Sequence, residues 1–432
     1  MSAILYNLSI YAYQFIIWLV SPFNKKAKLW IDGRSSIFGT RFSMFEQETS
    51  KRNATRIENQ ATKIAWFHCA SLGEFEQGRP VIEKFRENFP DHKIVLTFFS
   101  PSGYEVRKNY IGADFICYLP SDTASNTREF IEKINPSIAF FVKYEFWYNY
   151  LRILHERQIP VVSFSAIFRP NQIFFRWYGG FYRDILSYFS HIFVQNEESI
   201  ELLQSIGIQN VTVGGDTRFD RVKQIADARK PLTTIERFKN GKPLLIIGSC
   251  WQEDFSVIVP FLNAFTKDLK VIIAPHEIHE KQIESWEKEI RGNAIKYSEV
   301  EAHNSQLTTY NWLIIDNIGM LSSLYQYADF AWIGGSYGKG LHNILEAATF
   351  GLPIFFGNKK YQKFQEAIDL ERLTGAKAIN DTADFALEFQ KLYDDTDLRN
   401  QKSDIIKKYV NENLGGTDKI IEYVKGIGGF GD

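Results

Sequence analysis

The chain has 432 residues, more than one hydrophobic core usually serves, so two domains are expected. Its 50 Lys+Arg against 51 Asp+Glu leave a net charge of −1, which excludes a broadly basic surface and predicts no nucleic-acid partner. Three scattered cysteines, Cys69, Cys117 and Cys250, exclude a disulfide framework and fit a reducing compartment. Aromatic residues reach 15%, which points either to a dense core or to an apolar surface that meets lipid.

From Ala3 to Val20 the sequence reads AILYNLSIYAYQFIIWLV, with Asn7, Ser9 and Gln14 as its breaks. As a helix this run is about 27 Å long, just short of a hydrocarbon core of about 30 Å. Lys25, Lys26 and Lys28 follow directly. A cleaved secretory signal carries its charge before the apolar run, and a positive flank stays on the cytoplasmic side. Residues 1–24 therefore read as an uncleaved membrane anchor, spanning the bilayer or lying in its surface, with the rest of the chain cytoplasmic. Burial as a domain helix is the alternative.

Short apolar runs then alternate with helix-length connectors. Strands are predicted at 64–70, 94–100, 115–119, 138–144, 161–165, 191–195 and 211–213. After a polar stretch at 221–242, the pattern restarts with strands at 244–248, 269–274, 312–315, 330–333 and 354–356. Continuous apolar strands separated by helices indicate parallel sheets covered on both faces. The expectation is an α/β chain with two doubly wound, Rossmann-like domains, 25–220 and 243–432, joined by a linker at 221–242. Their carboxyl edges would face a cleft. The charged helical segment from about Asp384 is expected to pack back across the domains.

The first predicted strand ends in His68-Cys-Ala-Ser71-Leu-Gly73-Glu74. Ser71 and Gly73 make a tight turn, and Glu74 opens the next helix. A carboxylate there is placed to take a proton from a hydroxyl nucleophile, while its competing reading is a helix-capping glutamate. Glu145 ends the 138–144 strand and reads either as a second carboxylate at the sheet mouth or as a local cap. Arg169, after the next strand, binds an acidic substrate group or pairs with Glu145. Arg218 lies in the Gly214-Gly-Asp-Thr-Arg218 turn. Ser71, Gly73, Arg169 and Arg218 are thus the candidates for acceptor or acidic-sugar contacts.

In the second half, Ser249 closes the 244–248 strand, and His276 follows Ala274-Pro275 as a phosphate candidate. His276-Glu-Ile-His279 lacks the spacing that places two imidazoles one helical turn apart, so no metal site and no cofactor are predicted. Residues 334–358 read GGSYGKGLHNILEAATFGLPIFFGN. A strand, a glycine turn and a helix predicted at 342–350 form an anion site, with backbone N–H groups converging at the helix start. His342, Asn343 and Glu346 sit there, and Glu346 is placed to hold a diol. The segment points to a phosphate-bearing donor such as a nucleotide sugar.

Together, His68–Glu74, Glu145-Phe-Trp147, Gly215–Asp220, Ile315-Asp316 with Gly319, and Gly334–Glu346 resemble the 3-deoxy-D-manno-octulosonic acid (Kdo) transferases of lipopolysaccharide assembly. The likeness spans nearly the whole chain. It implies a GT-B fold and inverting transfer of Kdo from CMP-Kdo to a lipid A precursor (lipid IVA). By the same resemblance, Glu74 matches the general base and Glu145 a second required acid. Gly335, Ser336, Gly338, His342, Asn343 and Glu346 fall on the CMP-binding motif. Three positions depart from the family. His276-Glu277 stands where an Arg-His pair is common, Arg218 stands for a lysine, and the glycine loop Ser336-Tyr-Gly338-Lys339-Gly is shorter, so Lys339 is expected to supply phosphate charge. A UDP-sugar transferase with a lipid acceptor and a non-catalytic membrane-anchored binding protein are the competing functions.

Overall fold

A computed structural model describes residues 2–35, 37, 39, 42–47, 49, 62–428 and 430. The chain forms two compact units, residues 1–221 with 414–432, and residues 222–413.

The first unit is built on β1 (Ile64–Cys69), β2 (Lys93–Phe98), β3 (Phe115–Tyr118), β4 (Ile138–Val142), β5 (Val161–Ala166), β6 (His191–Val194) and β7 (Val211–Val213). All pairings are parallel, in the order β3-β2-β1-β4-β5-β6-β7. β1, IAWFHC, is buried at every residue, as a strand covered by helices on both faces must be. Much of the aromatic surplus lies in this core. Trp66 packs on Phe130, Phe141 and Tyr150 with ring centroids 5.1–5.4 Å away, and Phe67 stacks on Phe140 at 4.3 Å.

The N-terminal helix, Ala3–Val20, and the Lys25–Ser35 helix also belong to this unit. So does the last helix, Gly416–Lys425, which buries Ile420, Ile421 and Val424 in the same core as the Leu72–Asn88 helix. Asp220 fixes its start by accepting from the amides of Gly415 (2.8 Å) and Thr417 (2.7 Å). The returning C-terminal segment thus completes the first unit, and the long helices Thr382–Asp394 and Thr396–Glu412 stay with the second.

The second unit repeats the plan with β8 (Leu244–Cys250), β9 (Lys270–Pro275), β10 (Ala294–Lys296), β11 (Trp312–Ile314), β12 (Phe330–Ile333), β13 (Ile354–Gly357) and β14 (Ala376–Ile379). Its order is β10-β11-β9-β8-β12-β13-β14, again parallel. The edge strands β10 and β14 have 3 and 4 residues, and neither is signalled by a long apolar run in the sequence. In each sheet the connection direction reverses once, between β1 and β4 and between β8 and β12. Crevices at the carboxyl ends of such strands are the ligand positions of doubly wound folds.

Candidate functional site

At the carboxyl edge of the first sheet, Glu74 follows β1 and Glu145 follows β4, the two strands that flank the reversal. Ser71 is the N-cap of the Leu72–Asn88 helix, and Glu74 is the third helical residue. The Glu74 amide donates to Ser71 Oγ (3.4 Å), and the Ser71 amide donates to Glu74 Oε2 (3.2 Å). The capping reading of Glu74 is therefore correct, yet it leaves Oε1 outside the capping box. Burial, and next the charge of Glu145, push the Glu74 carboxyl up to about 7. That is the range in which a carboxylate accepts a proton effectively near neutrality.

Lys143, at φ +66, turns the chain sharply as β4 ends, a left-handed conformation that a non-glycine residue adopts only where its surroundings hold it. Two residues on, Glu145 Oε2 accepts from Trp147 Nε1 at 2.6 Å and contacts His68 Nε2 at 3.2 Å. His68 is wholly buried, and its Nδ1 lies 2.8 Å from Thr97 Oγ1, which accepts from Trp66 Nε1 at 2.9 Å. An indole nitrogen only donates. One arrangement that satisfies the chain has the Thr97 hydroxyl, which also lies 3.4 Å from the Phe67 carbonyl, donating to Nδ1 and Nε2–H donating to Glu145 Oε2. His68, Thr97 and Trp147 thus hold the second carboxylate in place. His68 was visible in the motif, whereas Thr97 on the neighbouring strand carried no sequence signal.

The other candidates in this unit divide. Arg169 is exposed and donates to the Tyr144 hydroxyl at 3.3 Å rather than pairing with Glu145, which separates the two readings of that side chain. Arg218 turns back onto buried Asp216, at 2.9 Å from Nε and 2.8 Å from an Nη. Asp216 also accepts from Gln77 and Gln195. The Arg218 guanidinium therefore fixes the turn after β7. Gly73 is exposed at the first turn, and a Cβ there would meet only Ser71 Oγ, at 4.0 Å.

At the carboxyl edge of the second sheet, the glycine loop after β12 differs from expectation. The helix predicted at 342–350 is only Leu345–Ala348, because the His342 amide donates back to the Gly334 carbonyl (3.2 Å) and Asn343 Oδ1 caps the Leu345 amide (3.2 Å). Four residues generate little dipole, and much of the loop's backbone is already bonded. The Gly335 amide donates to Asp254 Oδ2 (2.9 Å), and the Gly338 and Gly340 amides donate to the Gly335 carbonyl. Gly334 admits no side chain, since a Cβ there would lie 2.2 Å from the Ser249 carbonyl oxygen. Ser336 is fully buried and donates to the Gly357 carbonyl. The Gly335, Gly338 and Gly340 amides and the Ser336 hydroxyl, read from the sequence as parts of an anion cradle, are thus bonded within the protein. The loop's organiser is Asp254, a buried carboxyl pushed up to about 6 by burial and absent from the sequence reading.

What this edge presents instead is an aromatic and basic cluster. The Trp251 ring stacks on His276 (4.5 Å), and His276 stacks on His342 (4.1 Å). Trp251 Nε1 donates to His342 Nε2 at 3.0 Å, which leaves Nδ1 as the protonated nitrogen of a neutral His342. Burial, followed by neighbouring His276, lowers the His342 imidazole to about 4, and burial also lowers His276. Lys339 Nζ sits 4.0 Å from the Trp251 ring centroid and 3.9 Å from Glu277 Oε1. One helical turn away, Glu346 accepts from Ser322 Oγ (2.6 Å) and Asn343 Nδ2 (3.2 Å). Ser249 turns the end of β8 at φ +51. The cluster joins His276, Lys339 and His342 through Trp251, a residue that sequence reasoning missed.

Residues 38–221 match the family described as 3-deoxy-D-manno-octulosonic-acid transferase (kdotransferase). A 3-deoxy-D-manno-octulosonic acid transferase of Rickettsia bellii is 25% identical over 300 residues, 68% of this chain and 71% of the relative. Another, from Haemophilus influenzae, is 24% identical over 373 residues, 83% of this chain and 86% of the relative. The structure of UDP-GlcNAc 2-epimerase from Neisseria meningitidis bound to UDP-GlcNAc matches with a TM-score of 0.58 at 14% identity, covering 83% of this chain and 98% of its own. That likeness is one of fold, and folds of this kind host several activities. Two Rossmann-like units, each with one reversal in its parallel sheet, give the chain a GT-B-type fold. Residues 38–221 thus resemble the 3-deoxy-D-manno-octulosonic acid (Kdo) transferase family, and similarity to its curated members extends over most of the chain.

Proposed function

We propose that the enzyme moves Kdo from CMP-Kdo to a hydroxyl of a lipid A precursor, lipid IVA, with inversion at the anomeric carbon, at the cytoplasmic face of the inner membrane. The observation that carries this reading is Glu74, a carboxyl raised to about 7 beside Glu145 at the β1 edge, in a chain that resembles this family.

In this reading Glu74 takes the proton of the acceptor hydroxyl as its oxygen forms the new bond to the anomeric carbon. The bond from that carbon to the phosphate oxygen breaks, and CMP leaves with the electron pair. Attack from the face opposite the departing CMP gives inversion. Lys339 and the N–H groups of His276 and His342 meet the charge that grows on the phosphate. Neutral imidazoles donate a hydrogen bond without a full charge, so Lys339 takes the electrostatic part that the family's usual arginine would carry. Glu346 and Asn343, already hydrogen-bonded to each other, hold the ribose hydroxyls. Arg169, with no carboxylate of its own, is the candidate partner for the sugar acid. Ser71, Gly73 and Ser249 shape the edges of these contacts.

The test is incubation of the full chain with CMP-Kdo and lipid IVA, with product read by mass spectrometry. A mass gain of one or more Kdo units is expected. A chain protected against unfolding by UDP and not by CMP, and yielding no Kdo product, would exclude the reading.

A further inference from the structure

We infer that the first unit carries a second ligand site, in which Arg34 receives a phosphate group beside the carboxyl end of β3. The site stands apart from the donor assignment, and only the source of the phosphate rests on the proposed transfer.

Arg34 lies in the last turn of the Lys25–Ser35 helix, directly after Gly33. A Cβ on Gly33 would lie 2.1 Å from the Tyr118 ring, so glycine lets this turn press onto the end of β3. The guanidinium that follows sits in an aromatic slot, 3.8 Å from the Trp30 ring centroid, 4.9 Å from Phe99 and 5.2 Å from Tyr118. Nη1 donates to the Trp30 carbonyl (3.1 Å) and Nη2 to the Phe99 carbonyl (2.9 Å). These bonds fix the guanidinium plane but bring no negative charge. Nε is buried without a hydrogen-bond partner, and among the described residues no carboxylate pairs with this side chain. Burial lowers the guanidinium to about 9, which still leaves it protonated at neutral pH. A cation taken out of water without a counter-ion is costly, and ring faces offset only part of that cost.

The space beside Arg34 is shaped for the missing anion. Arg34, Ser35, Pro120, Ser121, Asn126 and Glu129 line a cavity of about 390 Å³, within the size range of small-ligand sites. Asn126 belongs to the first turn of the Ala124–Ile134 helix, which is capped by Thr123 and holds no Asp or Glu in that turn. The Ser121 carbonyl accepts from Asn126 Nδ2 (3.2 Å) and the Thr123 amide (2.7 Å), whereas among the described residues no hydrogen bond uses the Ser121 hydroxyl. Glu129 is paired with Lys133 at 2.9 Å rather than with Arg34. An uncompensated guanidinium, the positive end of a helix and an idle hydroxyl thus meet at one cavity. A phosphate engages all three, and its oxygens match the fork of an arginine.

The sheet order fixes where this anion stands. Two strand spacings separate β3 from β1, so the cavity lies roughly 10 Å along the carboxyl edge from Glu74. Phe99, whose carbonyl holds Arg34, packs its ring on Trp147 at 4.9 Å, and Trp147 donates to Glu145. That separation is the reach of one or two sugar rings. An acceptor whose hydroxyl meets Glu74 can therefore rest a phosphate on Arg34. The ligand class is a phosphate monoester or free phosphate, and the two sources are distinguished by experiment.

The experiment follows backbone amide hydrogen exchange in the full chain, with inorganic phosphate against sodium chloride at equal ionic strength. Two further arms use lipid IVA in detergent and lipid IVA stripped of its phosphates by a phosphatase. Slower exchange of residues 121–128 is expected with each phosphate-bearing ligand and not with the stripped lipid. Arg34→Gln and Ser121→Asp should both lose this protection. Ser121→Asp gives Arg34 a carboxylate of its own, so it decides the matter even where Arg34→Gln fails to fold. Protection by lipid IVA assigns the site to the acceptor, and the KM for lipid IVA should then rise about tenfold in Ser121→Asp, with that for the stripped acceptor unchanged. Protection by inorganic phosphate alone assigns it to the free anion. A native chain protected by neither, protection that survives in folded Ser121→Asp, or equal protection by the stripped lipid would overturn the inference. Hydrogen exchange needs no CMP-Kdo, so a failed donor assignment leaves this result interpretable.

Discussion

Ser71 and Glu74 cap one helix reciprocally, each amide donating to the other's side chain. Glu74→Gln keeps a side chain that serves the same capping box, while removing the base. Kdo transfer is expected to fall by about 10²–10⁴. The native enzyme's rate should fall as pH drops through about 7, where Glu74 takes up its proton. Folding has the opposite sign. The folded state raises this carboxyl from 4.5 to about 7, so it favours the acid, and stability declines as pH rises through that window. Glu74→Gln should therefore unfold at higher denaturant than the native chain above pH 7, by about 1–2 kcal/mol. A variant that is both active and unchanged in stability would remove the base assignment.

The charge on Glu145 is the second cause of the high Glu74 value, after burial. Glu145→Gln retains a carbonyl for the Trp147 indole and the His68 ring but carries no charge. The acidic limb of the residual transfer profile should move to lower pH, by up to about one unit. A pH–rate profile of kcat/KM for this variant checks the shift, and an unmoved limb would place the titrating group elsewhere.

Both sheets were legible in the sequence because their central strands are unbroken apolar runs bounded by Gly, Pro and polar residues. β10 and β14 were not, since three or four half-apolar residues at a sheet edge look like loop. The carboxylates Glu74 and Glu145 were legible as charges at the ends of apolar runs. Their surroundings were not, because Thr97 and Asp254 act through partners on other strands and helices. The glycine loop misled for a physical reason. Its motif was read as free amides, whereas several of those amides turn inward to Asp254 and to the loop's own carbonyls. The N-terminal run was legible as one long apolar helix, but the contacts that Tyr6 and Asn7 make with Asp122 and Asn149, more than a hundred residues away, were not.

Ser336 separates structure from ligand binding. Its hydroxyl is buried on the Gly357 carbonyl, so Ser336→Ala should destabilise the chain by about 1–3 kcal/mol. The KM for CMP-Kdo should stay within twofold of the native value, as expected when no ligand bond is lost. Chemical denaturation and steady-state kinetics measure the two effects. A large rise in KM at unchanged stability would restore Ser336 to the donor site.

Lys339 projects over the Trp251 ring and is mostly exposed, so its contribution is electrostatic and screened by salt. Lys339→Ala is expected to raise the KM for CMP-Kdo about tenfold at low ionic strength, with kcat less affected. The difference from the native enzyme should shrink as salt is added. Kinetics across a salt series decide the matter, and a salt-independent defect would assign Lys339 to loop structure.

In the proposed reaction Trp251 acts on the donor through His342. Its indole N–H holds His342 Nε2 as an acceptor, which fixes the proton on Nδ1. Trp251→Phe preserves a ring against His276 and deletes the donor, so the proton is free to redistribute between the two nitrogens. Nitrogen chemical shifts of His342 should then move from the Nδ1–H form toward a mixture of tautomers. The KM for CMP-Kdo should rise about tenfold, the value of one hydrogen bond to a charged group. Because the imidazole already titrates near 4, neither effect should depend on pH between 6 and 8. Unchanged shifts together with unchanged KM would show that the stack only packs the loop; a tautomer change without a KM change would place the phosphate beyond the reach of His342.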